Sequence, residues 1–276
     1  MQQTKNLYVI GWPIKHSRSP LIHNYWIKKH GLDAVYAQKQ VAPDDLSKFI
    51  HMLKSDECLG FNITIPHKQA VFAAVPRRDV LANKLGACNT ISWRDNELYA
   101  DNTDGYGFYR NLLDYSDWRQ TDQPIIIYGA GGAARAILQA MHDAGAQHIY
   151  IFNRTIPRAQ KLLADLNIEA NILTNSDELN DCLAYAGLLI NTTSLGMNGE
   201  NDVDINLSLM PKTAIVADIV YTPLQTGLLK QADDLGLVTV DGLGMLLHQA
   251  AKAFEIWFGI LPEVDDELRD LVLSDL

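Results

Sequence analysis

Three polar clusters in the first 104 residues carry side chains that could bind a small polar molecule and move a proton on it. The first is His16-Ser17-Arg18-Ser19-Pro20, the second is Asn62-Ile63-Thr64-Ile65-Pro66-His67-Lys68, and the third combines Asn89 with Asp101-Asn102-Thr103-Asp104. Hydroxyl and amide groups orient a ligand through hydrogen bonds, and a lysine with an aspartate can exchange a proton with it. The clusters therefore suggest a site for a small oxygenated molecule.

Each cluster alone also has an ordinary structural explanation. Ser19-Pro20 is typical of a helix N-cap and first helical residue, Lys68 of a solvated cation at a helix start, and Asp104 of a cap for the next helix. The clusters nevertheless lie where strands are predicted to end. In open α/β sheets, ligands bind outside the carboxyl ends of the strands, so the three together favour convergence on one ligand.

A glycine loop at residues 129–134 predicts a dinucleotide site. Gly129-x-Gly131-x-x-Ala134 follows the apolar run 125–128 and opens a helix to about residue 144, after which residues 148–152 form a second strand. The glycines allow a tight turn and close approach of the backbone to a pyrophosphate, and the free amides at the helix start favour the anion. A glycine-rich turn that only connects two elements is the alternative, but the strand–loop–helix–strand context favours dinucleotide binding. The predicted loop contacts are Gly129, Ala130, Gly131, Gly132 and Ala133.

The end of the second strand predicts which dinucleotide is bound. An NAD site places Asp or Glu there to accept from the ribose hydroxyls. This chain has Asn153-Arg154-Thr155, with Arg158 one turn later, and no carboxylate. The two arginines are suited to a 2′-phosphate, which indicates NADP(H), although solvated arginines at a helix start would give the same pattern.

Alternating strands and helices predict an α/β fold in two domains. Residues 1–104 form a substrate domain with a mostly parallel sheet, which ends in a hairpin near residues 88–100 and is completed by C-terminal helices at 242–276. Residues 105–241 form a Rossmann-type doubly wound NADP domain, which begins with a connecting helix near 106–115.

Composition and charge narrow the function classes. The chain has 276 residues, of which 47% are hydrophobic, and a net charge of -10. Nucleic acids and anionic membrane surfaces are disfavoured because both require basic patches. The 3 cysteines and 8 histidines show no metal-ligand spacing, so no metal is expected. Without a leader or an 18-residue apolar run, the sequence predicts a cytoplasmic protein.

The motifs resemble those of the shikimate dehydrogenase family, in family order along nearly the whole chain. The resemblance implies an NADPH-dependent reductase of 3-dehydroshikimate in aromatic amino acid and chorismate biosynthesis, acting as a monomer or homodimer. The matching stretches are 11–20, 62–68, 86–90, 101–105, the glycine loop, 153–155, Asn191-Thr192-Thr193-Ser194-Leu195-Gly196-Met197 and Gly242-Leu243-Gly244-Met245-Leu246-Leu247-His248-Gln249-Ala250-Ala251.

The resemblance also implies roles for individual residues. Lys68 and Asp104 resemble the catalytic pair and also contact substrate. The hydroxyls similar to those that receive the substrate carboxylate belong to Ser17, Ser19, Thr64 and Tyr221. The amides similar to those that contact ring hydroxyls belong to Asn62, Asn89 and Gln249. Further cofactor contacts are implied for Thr192, Ile219 and Gly242.

Two alternatives stay open. A quinate/shikimate dehydrogenase would oxidise either acid, often with NAD, and the missing acidic residue after Phe152 argues only against NAD use. A non-catalytic nucleotide-sensing homologue would be expected to lack Lys68 or Asp104, and both are present.

Overall fold

The computed structural model describes residues 4–53, 58–119 and 122–276. The chain divides into two compact units, Met1–Thr103 with Gln249–Asp275 (unit 1) and Asp104–His248 (unit 2). Each unit has its own sheet. The predicted α/β class is confirmed, whereas the assignment of substrate to one unit and cofactor to the other stays a prediction.

Unit 1 contains a mixed six-stranded sheet. Its strand order is β2-β1-β3-β5-β6-β4, and three of the five neighbouring pairs are parallel, with antiparallel pairing of β5 to β3 and β6. The predicted hairpin is present, and its turn residues Asp95 and Asn96 both have positive φ, as a two-residue hairpin turn requires. The strands are β1 (Lys5–Gly11), β2 (Ala34–Gln40), β3 (Cys58–Ile63), β4 (Arg77–Arg78), β5 (Thr90–Arg94) and β6 (Glu97–Asp101).

The helices of unit 1 cover this sheet and its ends. They are α1 (Ser19–Lys29), α2 (Leu46–Met52), α3 (Lys68–Ala74) and α4 (Val80–Leu85), with α11 (Asp266–Leu273) near the C-terminus. The acidic C-terminal segment is a capped helix: Asp265 accepts from Leu268 N at 2.9 Å, and Leu268 and Val272 are buried. Lys29 of α1 forms an ion pair with Asp265. The acidic residues Asp266 and Glu267 therefore lie in the first turn, where they complement the helix dipole.

Unit 2 contains a parallel six-stranded sheet in the order β12-β11-β10-β7-β8-β9. This is the doubly wound order, in which the chain first builds outward from β7 on one side and then from β10 on the other. Ile125, Ile126 and Ile127 of β7 are all buried, as both faces of the sheet are covered. The strands are β7 (Ile125–Tyr128), β8 (Ile149–Phe152), β9 (Asn171–Leu173), β10 (Leu188–Asn191), β11 (Ile215–Asp218) and β12 (Val238–Val240).

The helices of unit 2 connect these strands. The helix after the glycine loop (Gly132–Asp143) buries Ala134, Ile137, Leu138 and Met141, which have the spacing of one helix face. The helices of this unit are α5 (Asp104–Tyr115), α6 (Gly132–Asp143), α7 (Ile156–Leu166), α8 (Ser176–Leu183) and α9 (Gly227–Asp234), and α10 (Leu243–Phe258) passes from unit 2 into unit 1. No helix among residues 4–53, 58–119 and 122–276 is long and apolar enough to cross a membrane.

Candidate active site

The loops that follow β1 and β3 are tied together in unit 1. Thr64 N donates to Ile10 O at 3.0 Å, and Trp12 N donates to Ile65 O at 3.1 Å. Gly11 permits this approach, since a Cβ there would lie 2.6 Å from Thr64 Cγ2. The first two polar clusters of the sequence therefore share one end of the sheet, the carboxyl end of two neighbouring parallel strands.

Ser17 and Ser19 lie at the start of α1. Ser17 Oγ is 3.3 Å from Ser19 Oγ, and Ser19 N donates to Ser17 Oγ at 3.4 Å. Gln38 Nε2 donates to Ser17 O at 2.8 Å, which ties this loop to β2. Ser17 is half-buried and Ser19 is buried, so the two hydroxyls form a neutral pair that can donate to an anionic oxygen.

Lys68 begins α3 and is half-buried. The preceding His67 is buried, and its Nε2 lies 2.7 Å from Val41 O, so the ring anchors the loop between β3 and α3. The Cys88 thiol lies 3.7 Å from Lys68 O. The backbone that carries the lysine is therefore fixed from both sides by buried groups.

The predicted amide residues of unit 1 belong to one hydrogen-bond network. Asn62 Nδ2 donates to Asn89 O at 3.1 Å and to Thr90 Oγ1 at 3.0 Å. Asn89 Nδ2 donates to Thr103 Oγ1 at 2.9 Å and to Gln249 Oε1 at 3.4 Å. Asn62, Asn89 and Gln249, which are far apart in sequence, are thus brought together.

Asp101 supports this network from the neighbouring strand. Its carbonyl accepts from Asn89 N at 3.1 Å, and its carboxylate accepts from Arg94 Nη2 at 3.0 and 3.2 Å. Asp101 is only 8% exposed. Burial raises the pKa of this carboxyl to about 6, against the opposite influence of Arg94.

In unit 2 the glycine loop has the features of a pyrophosphate cradle. Gly129 has φ +115°, and a Cβ there would lie 2.7 Å from Thr192 Oγ1, so only glycine fits. A Cβ on Gly131 or Gly132 would meet no atom within 4 Å, which means that the space in front of the loop is open. No side chain caps the start of α6, so its amides are left for a ligand. Gly129 follows β7 and Thr192 follows β10, the two strands at which the sheet order reverses.

The turn after β8 has side chains suited to a phosphate group other than the pyrophosphate. Asn153 Nδ2 donates to Thr155 O at 2.8 Å and shapes this turn. Arg154 and Arg158 are exposed, and neither side chain forms a hydrogen bond or ion pair with the residues that the structure describes. No carboxylate lies at residues 153–155.

The loop after β11 is held by a buried carboxylate that sequence reasoning did not single out. Asp218 accepts from Asn191 Nδ2 at 2.9 Å, from Val220 N at 3.0 Å and from Thr226 Oγ1 at 2.8 Å. Burial raises the pKa of Asp218 to about 6, and these donors act in the opposite direction. The loop carries the half-buried Ile219 and Tyr221.

Gly242 packs directly against that loop. A Cβ on Gly242 would collide with Ile219 O and lie 2.7 Å from Val220 O. Ile219 N donates to Asn191 O at 3.2 Å, and Thr192 N donates to Tyr128 O at 2.9 Å. Three predicted cofactor residues, Thr192, Ile219 and Gly242, therefore lie on loops at the carboxyl edge of one sheet.

The sequence did not single out Tyr36 of unit 1 or Asp218 of unit 2. Thr103 belongs to the third polar cluster, and Thr90 and Asn191 belong to stretches that resemble the family, but none of the three was given a role. Their hydrogen-bond partners are mostly distant in sequence, so no local pattern indicates the roles. Within the described ranges no group of three or more His, Cys, Asp or Glu side chains could hold a metal ion.

A doubly wound unit with a glycine loop, in a chain whose other α/β unit gathers hydroxyls, amides and a lysine, defines a nicotinamide-dependent dehydrogenase. Family comparisons agree: residues 9–91 match "Shikimate dehydrogenase substrate binding domain", residues 115–243 match "Shikimate / quinate 5-dehydrogenase", and residues 242–266 match "Shikimate 5'-dehydrogenase C-terminal domain". The chain belongs to the shikimate dehydrogenase family.

Individual relatives match over nearly their full lengths. The shikimate dehydrogenase (NADP(+)) of Mesorhizobium japonicum is 48% identical, covering 100% of this chain and 98% of the relative. A shikimate 5-dehydrogenase of Listeria monocytogenes, solved in complex with shikimate and NAD, is 32% identical with a TM-score of 0.89, covering 98% of this chain and 96% of that one. A Thermus thermophilus enzyme, solved with NADP(H) and shikimate, is 29% identical with a TM-score of 0.85, covering 99% and 100%.

Proposed function

We propose that this protein catalyses the reversible, NADP-dependent interconversion of shikimate and 3-dehydroshikimate in aromatic amino acid biosynthesis. The observation that carries the proposal is the network in unit 1, in which Asn62 donates to the Asn89 carbonyl and Asn89 Nδ2 donates to Gln249, so that three predicted ring-binding residues are linked in series. Ring hydroxyls pair well with such amides, because each amide offers both donors and an acceptor.

The substrate carboxylate is assigned to neutral hydroxyls. Ser17, Ser19 and Thr64 lie on loops that backbone hydrogen bonds join, and Tyr221 is proposed to add a fourth hydroxyl. Neutral donors orient a carboxylate by geometry and need no buried guanidinium.

Lys68 is the proposed proton donor to the forming alkoxide, and the base in the reverse direction. Asp104 is the other proposed catalytic residue and would hold a hydroxyl next to the reacting carbon. NADPH, when bound, supplies the hydride for reduction of the carbonyl. Developing negative charge on the substrate oxygen is stabilised when a proton arrives from a positioned donor.

The 2′-phosphate is assigned to Arg154 and Arg158, with Asn153 and Thr155 shaping the turn that presents them. The pyrophosphate is assigned to residues 129–133 at the start of α6, and Thr192, Ile219 and Gly242 are assigned to the nicotinamide side. The absence of a carboxylate at residues 153–155 favours NADP(H) over NAD(H).

The direct test is the reduction of NADP⁺ by the purified protein with shikimate as substrate, followed by the absorbance of the reduced nicotinamide. Parallel assays with quinate and with NAD⁺ distinguish the proposed activity from that of a quinate/shikimate dehydrogenase with relaxed choice of substrate or cofactor. Catalytic efficiency should be highest with shikimate and NADP⁺. A protein that binds NADP⁺ but turns over neither acid would instead be a nucleotide sensor.

The role of Lys68 has its own test. Lys68→Ala should lower kcat by about 10²- to 10⁴-fold, the usual contribution of a positioned acid or base, with binding of NADP⁺ unchanged. The matched control is Lys84→Ala, which removes an exposed lysine from the last turn of α4. Equal kcat in Lys68→Ala and the control would remove Lys68 from the chemistry.

Two broader expectations belong to the same proposal. The protein is proposed to act in the cytoplasm, and as a monomer or a homodimer. Light scattering on the purified chain, with and without NADP⁺, measures the oligomeric state.

A further inference from the structure

Tyr36 of β2 is a buried tyrosine whose hydroxyl contacts the amide network. It is 2% exposed, and its Oη lies 2.7 Å from Asn62 Oδ1. Nothing in the sequence singles it out, since it stands outside the three polar clusters and the glycine loop. Its hydroxyl nevertheless belongs to a chain of hydrogen bonds that leads to Asn89, and it also interacts with the Ser19 hydroxyl.

Two backbone groups, the acceptor Asn89 O and the donor Thr103 N, determine the direction of the bonds in this chain. Asn89 O is a backbone carbonyl, so the Asn62 atom 3.1 Å away must be Nδ2. The other Nδ2 hydrogen of Asn62 points to Thr90 Oγ1 at 3.0 Å. Asn62 Oδ1 therefore faces Tyr36, and the phenol must be the donor.

The chain continues from Thr90 to Asn89. Thr90 Oγ1 accepts from Asn62 and donates to Asn89 Oδ1 at 2.9 Å. Thr103 N also donates to Asn89 Oδ1, at 2.9 Å, which independently fixes that amide. Asn89 thus keeps its oxygen inside the network, while its Nδ2 donates to Thr103 Oγ1 at 2.9 Å and, with its second hydrogen, toward Gln249 Oε1 at 3.4 Å.

The ring of Tyr36 is held in place by other aromatic side chains of unit 1. His23 stacks on it with ring centroids 4.3 Å apart and planes at 14°, and Trp257 packs on it with ring centroids 6.0 Å apart. Both ring nitrogens of His23 are buried without a hydrogen-bond partner within the described residues. Burial lowers the pKa of His23 to about 3, only partly offset by the nearby Asn62, so the ring stays neutral and acts as a flat packing surface.

We infer that Tyr36 is a positioning residue for substrate recognition, acting on Asn89 through Asn62 and Thr90. This inference rests on the proposed function. Both N–H groups of Asn62 are used within the network, so its contribution to a donor contact with substrate is indirect. Asn89 also uses both N–H groups, but its contact with Gln249 is long, at 3.4 Å, and a ring oxygen can replace it. Asn89 is then the amide that donates to a ring oxygen, and Tyr36 maintains the orientation that makes this possible.

The test is Tyr36→Phe, which removes one oxygen and keeps the ring between His23 and Trp257. The KM for shikimate should rise about three- to tenfold, the usual effect of losing one hydrogen bond, with the KM for NADP⁺ unchanged and kcat within about threefold. Tyr25→Phe is the matched control, because its hydroxyl also hydrogen-bonds in unit 1, but to Asp265 and Glu267. The control should keep both KM values.

A second variant interrupts the chain at another point. Thr90→Val keeps the shape of the side chain and removes the link between Asn62 and Asn89, so it should raise the KM for shikimate in the same way. Because both changes break one chain, the double variant should be no worse than the more affected single variant. Thr90→Ser, which restores the hydroxyl, should restore the KM.

The outcomes separate this inference from the proposed function. If the wild-type protein does not oxidise shikimate, the proposed function fails. If the wild type is active and Tyr36→Phe changes only kcat, or raises both KM values equally, Tyr36 has a structural role and the inference is wrong. If Tyr36→Phe does not fold, Thr90→Val decides alone: an unchanged KM for shikimate overturns the inference.

Discussion

Replacing Arg154 with alanine should change the choice of cofactor rather than the chemistry. The expected result is a fall of about 10- to 30-fold in kcat/KM for NADP⁺, with kcat/KM for NAD⁺ within about twofold of the wild type. Only NADP⁺ carries the 2′-phosphate to which this arginine is assigned, so only its binding should suffer.

The magnitude follows from the exposure of the side chain. A hydrogen bond between charged groups contributes about 1.5–3 kcal/mol, and solvent screening at an exposed position favours the lower end, about 1.5–2 kcal/mol. Arg154 is exposed and bonds to no described residue, so its removal leaves no internal partner unpaired. The turn that carries it is held by Asn153 and Thr155, which the substitution does not touch.

The assay is initial-rate kinetics at saturating shikimate with each cofactor in turn. Lys161→Ala is the control: it removes an exposed cation from α7, the helix that follows this turn, one that pairs with Asp165 at 3.1 Å, and should leave both efficiencies within about twofold. Arg158→Ala, singly and combined with Arg154→Ala, measures the contribution of the second arginine to kcat/KM for NADP⁺. An equal fall for NADP⁺ and NAD⁺ would refute the assignment of the 2′-phosphate to this turn.

Two further substitutions test the packing behind each unit's site. Gly242→Ala should raise the KM for NADP⁺ at least about tenfold, because the added methyl group displaces Ile219, and an unchanged KM would contradict this contact. Arg94→Met removes the cation beside Asp101, whose pKa of about 6 lies above the ordinary 3.8. Burying this charge costs stability as the pH rises from about 4 to about 6, and Arg94 offsets part of that cost. Urea unfolding should therefore show a loss of about 1–2 kcal/mol at about pH 8 and less than half of that at about pH 5, where the folded carboxyl is largely protonated. Equal losses of stability at both pH values would contradict the claim that Arg94 acts on the charged form of Asp101.

The fold was predictable where short-range rules operate. The β7–α6–β8 unit combines a buried apolar strand, a glycine loop and a helical face within about 30 residues, so its signals lie close together. The strands β4 and β9 carry no comparable signal, since they have only 2 and 3 residues and no clear alternation. They form because longer neighbouring strands offer them hydrogen bonds, which is a tertiary effect.

The positions of the polar clusters were also predictable, but the hydrogen bonds between their side chains were not. That Asn62 follows a strand can be inferred from the sequence; that both its N–H groups are used by Asn89 and Thr90 cannot. The same holds for Asp218, whose partners Asn191 and Thr226 come from two other segments. The residues proposed to bind ligands are polar and follow the ends of strands, which the sequence shows, whereas Tyr36, which orients them, resembles an ordinary core residue.

The chain has a net charge of -10, yet it is proposed to bind two anionic groups, the substrate carboxylate and the cofactor 2′-phosphate. The side chains proposed for the two groups differ in kind. For the substrate carboxylate, the chain offers the hydroxyl pair Ser17 and Ser19 on a half-buried loop, where selectivity depends on geometry. For the cofactor phosphate, it offers exposed arginines at the end of β8, where selectivity depends on charge. A substrate must be placed accurately for proton transfer, whereas a 2′-phosphate far from the reacting carbon only has to be held. Charge is therefore concentrated where affinity is needed, and neutral donors are placed where orientation decides the reaction.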